Sequence, residues 1–327
     1  MTVAIEALKD RRGPLVIVGR PHSGTRAVTI ALMQAGVFCG AEIAEGFLDS
    51  EIWFARFVLP LLADPRMPEL LEDPKDASAQ ALIEERLADT LERFFDGHDI
   101  ADPSPWGWKL SETLFLMREL KAVFPGARFI HVIRDGRDVV LSDDGRFQLT
   151  NRSPARRSPR RLARKLWSHL TSSHQRFARR YDYNRFCEYI TFGRSDVDRW
   201  RNIDLKSDRE VIANRYLLQM KSWVNCVETA RRASTALDGA YMEMRYEDFC
   251  KEPRRHAEAM FRFLEMDPPR EAVDGLAAQV STARIGKWRR WKFASADEEA
   301  DFASAVALGA DLLRRLGYET DERVTEA

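Results

Sequence analysis

Glycines, hydroxyl side chains and basic side chains are concentrated in one short stretch near the start of the chain, from Gly19 to Arg26. Before it stand four apolar residues, Leu15–Val18, three of them β-branched, which predict a strand buried on both faces. The apolar residues at 27–35 predict a helix directly after the stretch. Because the free N–H groups and the dipole at a helix start attract anions, this sequence predicts a phosphate-binding loop.

The spacing of Gly19 and Gly24 is that of a Walker A loop, which would continue with Lys followed by Ser or Thr. Thr25 and Arg26 stand there instead. This departure argues against a magnesium-dependent nucleotide hydrolase. The alternative to an anion site is an ordinary turn between a strand and a helix, in which Ser23 and Thr25 would be solvated hydroxyls rather than phosphate donors.

A second pair of polar side chains, Arg134 and Ser142, follows the apolar run Arg128–Ile133. That run predicts a strand, and the chain then turns into a helix. An arginine at the strand end offers a planar fork to phosphate oxygens, and a serine two turns along adds a hydroxyl donor. The pair therefore predicts a second phosphate site, although a salt bridge and a surface hydroxyl would be the ordinary interpretation.

The predicted elements place these groups at one edge of a sheet. A short strand at 106–109, a helix at 112–124 and the strand Arg128–Ile133 form a β-α-β unit, which predicts a parallel sheet with helices on its faces. Ligands of such sheets bind at the carboxyl ends of the strands. The glycine loop, Lys109 and Arg134 all come just after predicted strands, so we expect them to lie together.

The composition excludes several classes of protein. Of 327 residues, 51 are basic and 51 are acidic, so no overall field favours nucleic acid or an anionic membrane. No apolar run is long enough to cross a membrane. The four cysteines are far apart and form no CxxC pair, which indicates neither a zinc site nor a disulfide framework and favours reduced thiols in the cytoplasm.

With both loops in view, the chain resembles the sulfotransferases that use 3′-phosphoadenosine 5′-phosphosulfate (PAPS). The residues at 21–26 are similar to the family's Pro-(Lys/Arg)-Ser-Gly-Thr-(Thr/Ser) loop, and Arg134 with Ser142 matches its Arg-x7-Ser element. The segment 244–249 is similar to the Arg-Tyr-Glu-Asp-Leu strand end. The segment 285–289 resembles the C-terminal Gly-x-Trp-(Lys/Arg) sequence.

The resemblance implies an α/β protein with a three-layer P-loop-like fold, a central parallel sheet flanked by helices, and helical insertions that form a cap on the acceptor side. It implies metal-free, in-line transfer of a sulfuryl group from PAPS to a hydroxyl or amine of a carbohydrate or other small acceptor. The first loop would bind the 5′-phosphosulfate, and the second pair the 3′-phosphate. The implied PAPS-binding residues are Arg20, His22, Ser23, Gly24, Thr25, Arg26, Arg134, Ser142, Arg284 and Lys287.

Two departures from the family pattern concern the catalytic cation. His22 replaces the usual cation of the first loop, and Arg26 replaces a hydroxyl. Either side chain is a candidate to stabilise the charge that develops on the departing phosphate. Lys109 matches the Gly-x-Lys of related bacterial and Golgi sulfotransferases and is a second candidate cation, with a solvated lysine as its alternative interpretation.

The base that takes the acceptor's proton is the least defined role. Tyrosylprotein sulfotransferases place a glutamate after the first helix in a Cys-Gly-Glu-Glu context, and the similar residues here are Cys39 to Glu42. We therefore expect Glu42 to be the base. Glu45, Asp49 and His22 are alternatives, and a loop carboxylate without a role remains open for Glu42 and Glu45.

We expect a single domain over 1–327, with acceptor-side insertions at about 48–100 and 145–238. The second insertion opens with a basic run at 152–165 that contains no acidic residue. Such a run can hold an anionic acceptor, but a solvated face is its more usual meaning.

Two other functions stay open at this stage. A nucleotide kinase or NTPase has a related fold but would need the missing Walker lysine. A non-enzymatic nucleotide- or RNA-binding module could use the basic run, but the zero net charge argues against nucleic acid as a partner. The expected partners are a small-molecule or glycan acceptor, and both a monomer and a homodimer are compatible with the sequence.

Overall fold

The computed structural model describes residues 5–9, 11–44, 47–48, 50–63, 76–98, 104–142 and 214–319. These ranges contain both predicted phosphate loops and every predicted strand.

Four parallel strands form the central sheet, and two short antiparallel strands form a separate hairpin. The strands are β1 (Leu15–Val18), β2 (Glu42–Ala44), β3 (Phe47–Leu48), β4 (Gly107–Lys109), β5 (Arg128–Ile133) and β6 (Tyr241–Arg245). In the sheet the order is β4-β1-β5-β6.

Helices cover both faces of the sheet. They are α1 (Ile5–Lys9), α2 (Thr25–Gln34), α3 (Ser50–Ala63), α4 (Ala77–Phe94), α5 (Met117–Val123), α6 (Gly136–Val140), α7 (Arg215–Ser234), α8 (Tyr246–Lys251), α9 (Pro253–Phe263), α10 (Arg270–Gln279) and α11 (Ala296–Arg315).

Strand β1 lies inside the sheet and sends alternate side chains into two cores. Leu15 and Ile17 pack in the apolar cluster that contains residues of α2, α9 and α10. Val16 and Val18 pack in the cluster that contains residues of α3, α4, α5 and α7. This is why a strand with no polar alternation forms here, and it confirms the predicted layers of helices on both faces of a parallel sheet.

The predicted strands are confirmed, but the helix expected over 112–124 is wrong in its first half. Ser111–Leu116 is a 3-10 helix, and the α-helix α5 begins only at Met117. The indole N–H of Trp108 donates to the hydroxyl of Thr113 at 3.1 Å, and the backbone N–H of Thr113 donates to the carbonyl of Leu110. These contacts favour a tight i→i+3 turn where the chain leaves β4.

Residues at the ends of the two longest helices in the described ranges, α7 and α11, cap them. The Asn214 side chain accepts hydrogen bonds from two backbone N–H groups at the start of α7. Ser295 caps α11 by accepting from the N–H of Glu298 at 3.1 Å. Gly317 follows α11 with a φ of 73°, the left-handed conformation typical of a residue that ends a helix.

Both expected insertions contribute helices to the main cores. Within 48–100, α3 and α4 pack beside β4, and Leu87 and Leu91 are fully buried there. Within 145–238, the described part is α7, which packs against α6 and α11 through Trp223 and Val227. The basic run at 152–165 lies outside the described residues.

Close approach of β1 and β4 requires a glycine at position 107. A Cβ atom placed on Gly107 would lie 1.9 Å from the backbone oxygen of Leu15. Backbone atoms paired in a sheet cannot move aside without loss of the ladder between the two strands.

We therefore expect Gly107→Ala to lower the free energy of unfolding by roughly 3 kcal/mol, the upper end of the usual effect of overpacking. Urea titration measures this change. Gly97→Ala is the control, because Gly97 also lies outside helices and has open space around its Cβ position. Its φ of 78° should make the control lose only about 1 kcal/mol. Equal losses in the two variants would contradict the proposed clash.

Candidate functional site

The loop between β1 and α2 has the features of an anion site. Gly24, with a φ of 96°, stands directly before α2. A Cβ atom at this position would come within 2.5 Å of the Tyr246 ring, so both the conformation and the packing need glycine. Ser23 is 1% exposed, and its hydroxyl has no hydrogen-bond partner among the described residues. A buried hydroxyl without a partner beside a helix N-terminus fits a bound anionic group.

Arg134, at the end of β5, connects this loop to two other segments. Its guanidinium, 5% exposed, donates to the carbonyl of His22 at 3.1 Å, to the carboxylate of Asp138 at 3.3 Å and to the carbonyl of Arg284 at 2.6 Å. It also lies 4.9 Å from the centre of the Tyr246 ring. The structure therefore brings Arg134 together with the first loop and the C-terminal segment, which the sequence placed in one site.

Lys287 and Ser142 are in direct contact. The Lys287 amine donates to the Ser142 hydroxyl, and that hydroxyl donates to the carbonyl of Asp138 at 2.6 Å. Burial, with the nearby guanidinium of Arg134, lowers the pKa of Lys287 to about 8. Arg134, Ser142, Arg284 and Lys287 thus form one cluster of donors and positive charges, here called the basic cluster.

Tyr246 and Glu247, which belong to the family-like segment after β6, support both loops. The Tyr246 ring packs against Gly24 on one side and makes a cation–π contact with the Arg134 guanidinium. The Glu247 carboxylate accepts from the backbone N–H of Asp135 at 2.9 Å and from the Tyr318 hydroxyl at 2.8 Å. Burial raises the pKa of Glu247, and the two donors oppose this effect. The motif therefore has a positioning role in the structure.

Three residues assigned to the first loop have different surroundings. Arg20 is 4% exposed and donates to the side chain of Gln219 on α7. His22 has a φ of 74°, which is unusual for a residue other than glycine, and its carbonyl accepts from Arg134. Thr25 is buried in the first turn of α2, and its carbonyl accepts from the Thr29 hydroxyl. Their roles in binding remain predictions.

A cleft of about 310 Å³ opens beside the first turns of α2. Its charged lining is formed by Arg26, Glu42, Glu51 and Lys109. Polar and apolar residues of α2 and one residue of β3 complete the wall, namely Thr29, Ile30, Met33, Gln34 and Leu48. The structure thus brings together three residues that the sequence predicted for catalysis or donor binding, namely Arg26, Glu42 and Lys109. Because Arg26 belongs to the loop–helix junction, the cleft adjoins the predicted anion site.

Glu51 is a candidate that the sequence analysis missed. Its carboxylate forms an ion pair with the Lys109 amine at 2.8 Å, and both side chains are less than one-fifth exposed. Glu51 lies in the first turn of α3, where acidic residues are common for helix-dipole reasons alone. No local pattern distinguishes it from such a residue, and only the return of α3 to the end of β4 reveals the pairing.

Two alternative bases, Glu45 and Asp49, lie outside the described residues. In the described ranges, no group of three or more His, Cys, Asp or Glu side chains could hold a metal ion. None of the helices in those ranges combines the length and the apolar character needed to cross a membrane.

The parallel sheet, with a glycine loop and a helix after its first strand, defines a P-loop-like α/β protein. Family comparison then gives the narrower class. A model described as "Sulfotransferase family" matches residues 14–190, and one described as "Sulfotransferase domain" matches residues 117–286. Each covers more than half of the chain, which therefore belongs to the sulfotransferase family. This membership implies transferase activity and confirms the predicted family.

The solved structures that match the chain share little sequence with it. They include a sulfotransferase domain from the curacin biosynthetic pathway, with 13% identity, a TM-score of 0.47, and coverage of 95% of this chain and 100% of the other. A sulfotransferase domain from the Synechococcus PCC 7002 olefin synthase has 14% identity, a TM-score of 0.43 and coverage of 95% and 98%. Sulfotransferase STF9 from Mycobacterium avium has 15% identity, a TM-score of 0.42, and coverage of 96% of this chain and 79% of the other. No curated protein sequence matches the chain significantly.

The lowered pKa of Lys287 gives a test that needs no ligand. Lys287 should lose its proton around pH 8, so the basic cluster should carry one positive charge less above that pH than below it. Carbon-13 NMR of the lysine Cε signals, assigned with Lys287→Arg, measures the midpoint. Lys9 is the internal control, because its hydrogen bond to Glu6 raises its pKa above 10.5. A Lys287 midpoint near the ordinary 10.5 would contradict the buried position of its amine.

Proposed function

We propose that this protein transfers a sulfuryl group from PAPS to a hydroxyl or amine of a small-molecule or glycan acceptor. The observation that carries the proposal is the arrangement of three neighbouring features. An anion loop precedes α2, the basic cluster meets this loop through Arg134, and a cleft with charged walls opens on the side of Arg26. A sulfuryl donor with two separate phosphate groups would need two anion sites, and the acceptor would need the cleft beside them.

The 5′-phosphosulfate fits the first loop. The unpartnered hydroxyl of Ser23 and the N–H groups at the start of α2 are donors fixed before any ligand arrives. Fixed donors of this kind stabilise charge that develops on a leaving phosphate oxygen without reorganising. Arg26, at the border of the loop and the cleft, is the cation best placed to assist them.

The 3′-phosphate fits the basic cluster. Ser142 and Lys287 already share a hydrogen bond, and Arg134 has a buried Nε with no hydrogen-bond partner in the described structure. A phosphate dianion would supply acceptors for these donors and restore full charge to Lys287. The cluster would therefore bind a nucleotide with a 3′-phosphate more tightly than a nucleotide without one.

The cleft supplies the groups for the acceptor. The acceptor oxygen attacks sulfur, the bond from sulfur to the 5′-phosphate oxygen breaks, and its electron pair stays on that phosphate. The acceptor's proton passes to a carboxylate, for which we propose Glu42 on the cleft wall. The Glu51 carboxylate holds the Lys109 amine at 2.8 Å. Lys109 then stabilises the negative charge on the sulfuryl group during its transfer.

We also propose a cytoplasmic location. Cys39, Cys226 and Cys250 are buried and form no disulfide with one another, which fits a reducing compartment.

Adenosine 3′,5′-bisphosphate should raise the midpoint of thermal unfolding much more than AMP or ATP does. The reason is that only the bisphosphate fills the first loop and the basic cluster together. A ligand at one hundred times its Kd stabilises the native state by roughly 2.7 kcal/mol. Differential scanning fluorimetry without and with magnesium measures the shifts. Equal shifts with AMP, or a magnesium-dependent preference for ATP, would favour a nucleotide kinase or NTPase and contradict the proposal.

Substitutions in the cleft should lower turnover while binding of the bisphosphate stays unchanged. We expect Glu42→Gln to abolish most of kcat because it removes the proton acceptor, and Lys109→Ala to lower kcat by on the order of a hundredfold. Transfer from labelled PAPS to a panel of alcohols and amines measures kcat, and calorimetry measures binding.

Glu51→Gln tests the partner of Lys109. If Glu51 only orients the lysine, Glu51→Gln combined with Lys109→Ala should be no slower than Lys109→Ala alone. A fully active Glu42→Gln together with an inactive Glu51→Gln would transfer the role of the base to Glu51.

A further inference from the structure

Asp138 is a fully buried residue, and its carboxylate accepts hydrogen bonds from Arg134 and from the backbone beside Lys287, both in the basic cluster. One oxygen accepts from the backbone N–H of Gly286 at 2.8 Å and from Arg134 at 3.3 Å. The other accepts from the backbone N–H of Trp288 at 3.1 Å. The residue between these two N–H groups is Lys287. The carboxylate thus holds the backbone on both sides of Lys287.

The segment around Lys287 has few buried contacts that would hold it in this position. It consists of two short 3-10 helices, Thr282–Arg284 and Lys287–Arg290, in which no residue is fully buried. Gly286, with a φ of 63°, forms the turn between them. Only Ile285 and Trp288, both partly buried, pack against the apolar cores. Polar contacts with the body of the protein therefore contribute to the position of the segment beside this limited apolar packing.

We propose that Asp138 is a positioning residue for recognition of the donor's 3′-phosphate. It fixes the backbone at 286 and 288 so that the Lys287 amine meets the Ser142 hydroxyl, and it orients the guanidinium of Arg134 at the same time. Asp138 does not touch the phosphate itself. The inference rests on the proposed function, because a 3′-phosphate is the ligand that this cluster would distinguish.

The substitution Asp138→Asn tests the geometry with a minimal change in volume. A side-chain amide has one accepting oxygen and one donating nitrogen. In either orientation, at least one of the two backbone N–H groups would face another donor. Lys287 would lose its fixed position, while the first loop, on the opposite side of Arg134, would keep its own N–H donors.

The experiment measures the ratio of Kd for AMP to Kd for adenosine 3′,5′-bisphosphate by calorimetry. In the unchanged protein this ratio should be large, and Asp138→Asn should lower it roughly tenfold or more, the effect of losing a hydrogen bond to a charged group. The Kd for AMP should change little. In a Lys287→Met background the same substitution should lower the ratio much less, because its main target is already gone.

Glu243→Gln is the matched control. Glu243 is also a carboxylate paired with an arginine, Arg231, but it lies within β6 away from the basic cluster. It should lower thermal stability without changing the ratio. If Asp138→Asn fails to fold, Asp138→Glu carries the same test, since it keeps the charge opposite Arg134 but displaces the carboxylate by one methylene group.

The outcomes separate the inference from the proposed function. A ratio near one in the unchanged protein would overturn the 3′-phosphate site and the proposed function with it. A large ratio that survives both Asp138 substitutions would overturn only the positioning role. A large ratio that falls with Asp138→Asn and survives Glu243→Gln supports the inference, because a merely structural loss would affect both variants alike.

Discussion

The buried guanidinium of Arg134 is the group on which the arrangement of the site depends. Removing a charge from water costs several kcal/mol unless acceptors replace the lost hydration. Here the acceptors are the carboxylate of Asp138, one helical turn further along, and the carbonyls of His22 and Arg284, which belong to two segments far away in the chain. Both distant segments have to reach the end of β5 to complete this set, so the energy of one charge determines where the two loops meet.

The sheet makes this meeting possible, because its four parallel strands end at one edge. Strand β1 leads into the glycine loop, β5 into Arg134 and β6 into Tyr246, whose ring fills the space beside Gly24. At the far side, β4 ends at Lys109 and faces the cleft. The groups that we propose for the sulfuryl donor and those that we propose for the acceptor are therefore separated by the order of the strands, with β1 between them.

Local patterns in the sequence predicted the strands, the glycine loop and the position of Arg134, because apolar runs and strand ends depend only on neighbouring residues. Contacts across the chain were not predictable in this way. Asp138 and Gly286 are 148 positions apart, and a single acidic residue in a short helix looks like any solvated carboxylate. The hydrogen bond from the Arg20 guanidinium to Gln219 on α7 spans 199 positions and was equally unpredictable, and the role of Arg20 in donor binding remains a prediction. Glu51 could not be predicted because its ion pair with Lys109 depends on the return of α3 to the end of β4.

The two halves of the site differ in how their polar groups are satisfied before any ligand binds. In the cleft, Glu51 and Lys109 neutralise each other at 2.8 Å. On the donor side, the hydroxyl of Ser23 and the Nε of Arg134 are buried without hydrogen-bond partners in the described structure. Each such group destabilises the fold by about 1–3 kcal/mol, and an anion that supplies the missing acceptors would recover this energy. The fold, supported by the two cores of the sheet, therefore tolerates unpaired hydrogen-bond donors at the proposed phosphate positions, whereas Glu51 and Lys109 in the cleft are paired with each other.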